Sequence, residues 1–170
     1  LSLTSIPGTF KHLELMVHCR STRTSDSSDP MNFRLNNDSS SSYGSGQIYA
    51  LNAGSGSISS VRREQMGYRD AFQEAFWAPA NYSGADNNNF GYFRALFLGY
   101  SQTTLTKTML IECSVAGALN PFSGSVTQYG LFAQLGCFGW NNTAAITQID
   151  LPMSVGNWNA ESTYILAGLS

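Results

Sequence analysis

Charged residues are scarce in this chain. Lys, Arg, Asp and Glu make up 12% of its 170 residues, about half of the share that is usual in soluble domains. The formal net charge is −2, and the few basic residues are scattered along the sequence. Nucleic acids and anionic membrane surfaces attract proteins through clusters of Lys and Arg. The composition therefore predicts no nucleic-acid partner.

Long apolar stretches are also missing. No segment approaches the roughly twenty consecutive apolar residues that cross a bilayer as a helix, so we expect no membrane insertion. The start, Leu1-Ser2-Leu3-Thr4, has no Met and no basic segment followed by an apolar one, as a signal peptide would have. We expect the chain to be a processed or trimmed product.

Cysteines are few and far apart. Cys19, Cys113 and Cys137 form no C-x-x-C pair, and their number is odd. This spacing is typical of free thiols buried on strands. One disulfide with one free thiol is the alternative.

The two histidines, His12 and His18, are predicted to share one face of a strand, with Glu14 between them. Six residues along a strand span about 20 Å, which is too far for two ligands of one metal ion. We interpret both as surface or interface histidines and predict no metal site.

Other marks of catalysis are lacking as well. No Gly-x-Ser-x-Gly elbow is present, and Gly54 to Ser57 has no Lys for a phosphate loop. Asn36-Asn37-Asp38 offers oxygens to Ca²⁺, but no spaced set of acids follows, which favours a turn. We predict no catalytic, cofactor-binding or metal-binding residues, and hence no enzyme.

Alternation of apolar and polar residues is the main structural signal. In Lys11 to Arg20, the side chains of Leu13, Leu15, Val17 and Cys19 point one way, as in a half-buried strand. Further strand-like runs are Met31 to Leu35, Gln47 to Leu51, Phe90 to Tyr100, Leu105 to Ala116 and Val126 to Trp140. With polar turn segments between them, they predict one all-β domain over residues 1–170, an antiparallel sandwich or barrel.

Two connecting segments carry weaker signals. Ser21 to Pro30 is predicted to be a polar turn region, and Ala78 to Asn89 a long polar loop. Val61 to Trp77 has partly helical spacing, although a strand is favoured over Phe72 to Trp77. The sequence therefore predicts at most one short helix, within Val61 to Trp77.

The end of the chain reads as two strands, Ala145 to Met153 and Ser162 to Leu169, joined by a turn-rich connector. We expect them to form a long hairpin, with Ile146 and Ile149 on opposite faces. The last strand should be paired into a sheet, since a loose end would leave backbone groups unpaired. Trp158 in the connector is expected to cap the core; an exposed loop-tip role is the alternative.

Five stretches, in order, resemble one known domain. They are KHLELMVHCRS, MNFRLNND followed by Tyr43, WAPANYSGADNNNFGYFRALFLGY, SQTTLTKTM with its Lys-Thr, and the closing WNNTAAITQIDLPMSVGNWNAESTYILAGL. Together they are similar to a domain of many tailed-bacteriophage virion proteins. The chain departs from that pattern at Trp158, where the family has another aromatic residue, and at Glu161-Ser162, where it has Gly-Ser.

The resemblance implies a jelly-roll-like β-sandwich in a structural component of a virion, from a tail, tail fibre or head fibre. Its expected partners are further copies of itself, most plausibly as a trimer, and other capsid or tail proteins. An alternative function is recognition of host-surface glycan. Loop-borne Tyr43, Tyr82, Asn87 to Asn89 and Trp158 would serve it, because aromatic and amide groups suit sugars. A third hypothesis, a depolymerase, requires turnover of host polysaccharide.

Overall fold

The computed structural model describes residues 1–25, 28–40, 42–52, 58–69, 72–80, 89–117 and 130–170. Within them the chain forms strands and no helix. The strands are β1 Ser2–Leu3, β2 His12–Cys19, β3 Ser28–Leu35, β4 Tyr43–Asn52, β5 Ile58–Arg69, β6 Phe72–Pro79, β7 Gly91–Leu98, β8 Lys107–Gly117, β9 Gly130–Trp140, β10 Ile149–Asp150 and β11 Thr163–Leu169.

The strands form two antiparallel sheets that pack face to face. One sheet has four strands in the order β1-β10-β3-β6, and the other has seven in the order β11-β2-β7-β8-β9-β4-β5. The chain crosses repeatedly from one sheet to the other. The predicted antiparallel β-sandwich is confirmed.

The core lies between the sheets. The alternation in β2 is confirmed, because Leu13, Leu15, Val17 and Cys19 are all buried. From the four-stranded sheet, the Phe33 ring meets those of Phe93 and Phe97 on β7, with centroids 6.1 and 5.6 Å apart. Such aromatic pairs add about 0.5–1.5 kcal/mol each to the gain from burial. These contacts hold one sheet against the other.

Within the Val61 to Trp77 segment, residues 61–69 and 72–77 are extended. A strand over Phe72 to Trp77 is confirmed as part of β6. The partly helical spacing before it does not give a helix in residues 61–69, because β5 pairs along β4 there. Pairing with a neighbouring strand outweighs a weak local periodicity.

Two predicted connections are shorter than expected. β3 begins at Ser28, inside the predicted turn region, and β6 runs on to Pro79, inside the predicted loop, because these ends pair with each other. β9 is one strand from Gly130. Predictions for Gly54 to Ser57, for residues 81–88 and for most of the linker after Gly117 lie outside the described residues.

The predicted terminal hairpin is wrong. β10 is only two residues long and pairs with β3 and β1, whereas β11 pairs with β2 in the other sheet. The expected placement of Ile146 and Ile149 on opposite faces is also wrong, since both are buried. Both can be buried because the backbone between them does not follow strand geometry. The Asn36 side chain forms hydrogen bonds with backbone groups of this segment.

The pairing expected for the last strand is confirmed, because β11 pairs with β2 from Thr163 to Leu169. Trp158 packs against the core while remaining partly exposed. Its indole N–H donates to the backbone oxygen of Leu151 at 2.8 Å. This placement agrees with the expected capping role.

Candidate interaction surface

The outer face of the seven-stranded sheet is the surface that stands out chemically. Strand register fixes which side chains it carries: one row runs straight across six strands, through Ile165, Met16, Arg94, Glu112, Leu135 and Ile48. We call this surface, with the rows parallel to it, the outer sheet face. It points away from the four-stranded sheet, because the alternate residues of β2, β7, β8 and β9 are buried where the structure describes them.

The outer sheet face is unusually apolar for a surface in contact with water. Six large apolar side chains on it are exposed: Ile48, Tyr92, Leu98, Leu110, Leu135 and Ile165. An antiparallel sheet with one solvated face normally places polar residues there. Contiguous exposed apolar patches of several hundred Å² mark interaction sites. We therefore take this face as the candidate functional site.

A compact ion-pair cluster lies near the middle of this face. Arg94 on β7 pairs with Glu14 on β2 and, at 3.0 Å between Nη1 and Oε1, with Glu112 on β8. Hydrogen bonds to Glu112 and Glu14 raise the pKa of Arg94 above its usual value. These three are the charged side chains that the described part of the face carries. Their net charge is −1, and the apolar residues flank them on both sides.

The two histidines lie on the outer sheet face but serve local structure. His12 accepts a hydrogen bond at Nδ1 from the backbone N–H of Gly99 at 3.1 Å. The His18 ring stacks on Phe90 with centroids 4.9 Å apart. Across the described residues, no group of three or more His, Cys, Asp and Glu side chains is arranged to hold a metal ion.

The three cysteines are free, so the disulfide alternative is not supported. Cys19 and Cys113 are buried, as expected, and burial raises the pKa of Cys19 to about 12. Cys137 is exposed, which corrects the expectation that all three thiols are buried. It lies on the outer sheet face, opposite Leu110 in the β8–β9 register.

Asn36 to Asp38 forms a turn, as favoured over a calcium loop. Asn36 and Asn37 have φ angles of 50° and 55°, in the left-handed region. Asn tolerates this region better than most residues. Asn36 Oδ1 accepts from the N–H groups of Thr147 and Gln148, at 2.8 and 3.1 Å. Asp38 accepts from the Trp140 indole at 2.7 Å. These oxygens are used to tie the turn to the sandwich.

Two of the residues expected for glycan recognition, Tyr43 and Trp158, pack in or against the core. Tyr43 is not on a loop; it is buried in β4, stacked on Trp140 with centroids 6.3 Å apart. Its hydroxyl donates to Asp38 O at 3.0 Å, and burial raises its pKa to about 12. Trp158 packs on the core. Tyr82, Asn87 and Asn88 lie outside the described residues.

The outer sheet face was not foreseen from the sequence, although a signal for it existed. β7 reads GYFRALFL and β9 reads GLFAQLGCFGW, so both alternate positions of each strand include apolar residues. In an antiparallel sheet, apolar residues on both sides of the strands indicate that the outward face is also a contact surface.

The comparisons with known proteins yield no relative. The chain matches no protein-family model, no curated protein and no solved structure. Helices long and apolar enough to cross a membrane do not occur in the part of the chain that is described.

Proposed function

We propose that this protein is a structural subunit of a bacteriophage virion, which packs against further copies of itself and against other capsid or tail proteins. The observation that carries the proposal is the exposed apolar outer sheet face. The resemblance of five ordered stretches to phage virion proteins supports it, as does the charge-poor, Ser- and Asn-rich composition. The role is one of assembly and involves no catalytic step.

The size of the outer sheet face suits a stable protein contact. Six strands, β11 to β4, carry its described side chains. With about 4.8 Å between strands and about 3.3 Å per residue, six strands of eight residues cover roughly 29 by 26 Å, or about 750 Å². Specific interfaces bury about 800 Å² per partner. Covering this face therefore suffices for lasting assembly.

The charges on the face also suit contact with a like surface. Arg94 and Glu112 are both partly exposed beside each other. In a three-fold ring, each copy can therefore place a Glu near Arg94 of one neighbour and receive the Arg of the other neighbour near its own Glu112. Because each copy carries both signs, opposite charges can pair across the contact, although the three side chains carry a net charge of −1 in each copy. We propose a closed oligomer, with the trimer as the expected form, since closed symmetry leaves no copy with an uncovered face.

Substitution at the centre of the face tests the assembly role. Leu135 is 61% exposed, so Leu135→Glu should leave the fold intact and lower the mass of the oligomer measured by light scattering. The matched control is Leu105→Glu, since Leu105 is 60% exposed but lies in the β7–β8 connection, off the face. Equal masses for wild type and both variants would contradict the assignment of the face.

The virion role has a separate test. Mass spectrometry of purified phage particles made from a genome that encodes this chain should detect it at a copy number typical of structural proteins. Immunogold labelling should then place it on the head, tail or fibre. Absence of the chain from intact particles would refute the virion role without bearing on the outer sheet face.

A further inference from the structure

The edges of the two sheets differ in how well they are guarded against pairing with another chain. Edge strands are usually protected by shortness, charged residues or proline. β1 has only two residues, and β6 includes Glu74 and ends at Pro79. β5 includes Arg62, Arg63, Glu64 and Arg69 in its sequence. Each of these three edges therefore carries at least one of the usual protections.

β11 is different. Its seven residues, TYILAGL, include no charge and no proline, and its pairing with β2 is continuous from Thr163 to Leu169 without a bulge. It is the terminal strand of the seven-stranded sheet, so one side of its backbone is free of a described strand partner. Tyr164 and Ile165 are 50% and 60% exposed. An uncharged, proline-free edge without a bulge is a template for strand addition.

The sequence of β11 is complementary to itself. Large residues, Tyr164 and Ile165, stand in its first half, and small residues, Ala167 and Gly168, stand in its second half. When two such strands run antiparallel about Leu166, Tyr164 faces Gly168 and Ile165 faces Ala167. Ile165 then has space beside Ala167, whereas the space over Gly168 is filled by the Phe10 ring, against which Tyr164 can pack.

Phe10 adds a second point of contact. A methyl group placed on Gly168 would collide with the Phe10 ring at 2.2 Å, so this ring lies directly over Gly168. Phe10 is itself partly exposed. In the antiparallel arrangement, the Tyr164 side chain of the second copy is directed at the same place. The pairing thus covers two exposed aromatic residues, and it does so twice by symmetry.

We propose that β11 pairs edge to edge with β11 of a second copy of this chain, antiparallel and in register about Leu166, so that two seven-stranded sheets become one continuous sheet. The contact is two-fold and isologous. It does not depend on the virion role. Together with a three-fold contact through the outer sheet face it gives a hexamer, and without that contact it gives a dimer.

Cysteine cross-linking tests the register. In a Cys137→Ser background, we would prepare Ile165→Cys and Ala167→Cys separately, mix them, and oxidise mildly. Opposite residues of an antiparallel pair have Cα atoms about 4.5–5.5 Å apart, within the range that a disulfide bridges. We expect a disulfide-linked dimer in the mixture and little in either variant alone. Leu105→Cys in the same background is the exposed control.

A charge on the edge tests the association without cross-linking. Tyr164→Lys should leave the melting temperature close to that of wild type and halve the mass found by light scattering, because lysine on an edge strand opposes pairing. Val155→Lys, at an exposed site away from β11, should leave the mass unchanged. Any of three results would overturn the proposal. They are an unchanged mass in Tyr164→Lys, a wild type that is strictly monomeric or trimeric, and cross-linking in one single variant. If Leu135→Glu still lowered the mass, the proposed function would survive that failure.

Discussion

Replacement of Lys107 by Met should destabilise the sandwich strongly. Lys107 is only 1% exposed although it carries an ammonium group. Its Nζ donates to three backbone oxygens, those of Gln102, Leu105 and Thr143, at 2.6, 2.8 and 3.0 Å. These bonds tie the β7–β8 connection to the segment that follows β9. Methionine keeps most of the length of the side chain and removes every donor.

The size of the effect follows from opposing contributions. A hydrogen bond to a charged group contributes about 1.5–3 kcal/mol, so three bonds amount to roughly 4–9 kcal/mol. Burial of the ammonium costs several kcal/mol, and Met is spared that cost. The three oxygens belong to exposed residues, so water can replace part of the lost bonding. We expect a net loss of about 3 kcal/mol, or about 6–12 °C in melting temperature for a chain of this size.

Thermal and urea unfolding, followed by circular dichroism and by Trp fluorescence, measure this loss. The matched control is Lys11→Met, because Lys11 is exposed and should change stability by less than about 0.5 kcal/mol. If the Lys107 variant melts within about 2 °C of wild type, the three bonds contribute nothing net and the reasoning is refuted.

Trp158→Ala should cost about 3 kcal/mol, because the ring packs on the core; an unchanged melting temperature would instead favour the loop-tip role. Hydrogen bonds to Asp38 outweigh the opposing effect of its burial and lower its pKa from the ordinary 3.8. Its ionised form therefore stabilises the fold above about pH 4, and this contribution is lost as the pH falls through the lowered pKa. The free energies of unfolding of wild type and Asp38→Asn, measured in urea, should converge there. A constant difference between them down to pH 2 would count against this role. In native Leu135→Glu protein, a thiol reagent should modify the exposed Cys137 quickly, and it should modify the buried Cys19 and Cys113 only when the protein unfolds. Early modification of all three thiols, seen in mass spectra, would contradict this.

Local sequence was a good guide wherever one face of a strand is buried and the other is not. The alternation of Leu13, Leu15 and Val17 predicts both the strand and its buried side. The β7–β8 hairpin, from Gly91 to Gly117, follows from two apolar runs joined by a short turn. In each case the relevant contacts are close along the chain, so periodicity and turn residues suffice.

The candidate surface was harder to foresee. Leu135 and Ile48 are far apart in sequence, and they become neighbours only because β9 pairs with β4 in a defined register. A strand sequence with apolar residues on both sides does not state which side faces the partner sheet. The charged cluster has the same origin, because Glu14, Arg94 and Glu112 meet across three strands.

The sequence by itself determined that this protein is built of strands, which side chains of β2 enter the core, and that Asn36 to Asp38 turns the chain. These are local properties, set by period-two alternation and by the backbone preferences of single residues. Only the tertiary structure decided that the last strand pairs with β2 instead of forming a hairpin with its neighbour, and that this leaves an unguarded edge. Strand partners are chosen by the burial of distant apolar faces against each other, and no local pattern specifies which distant face that will be.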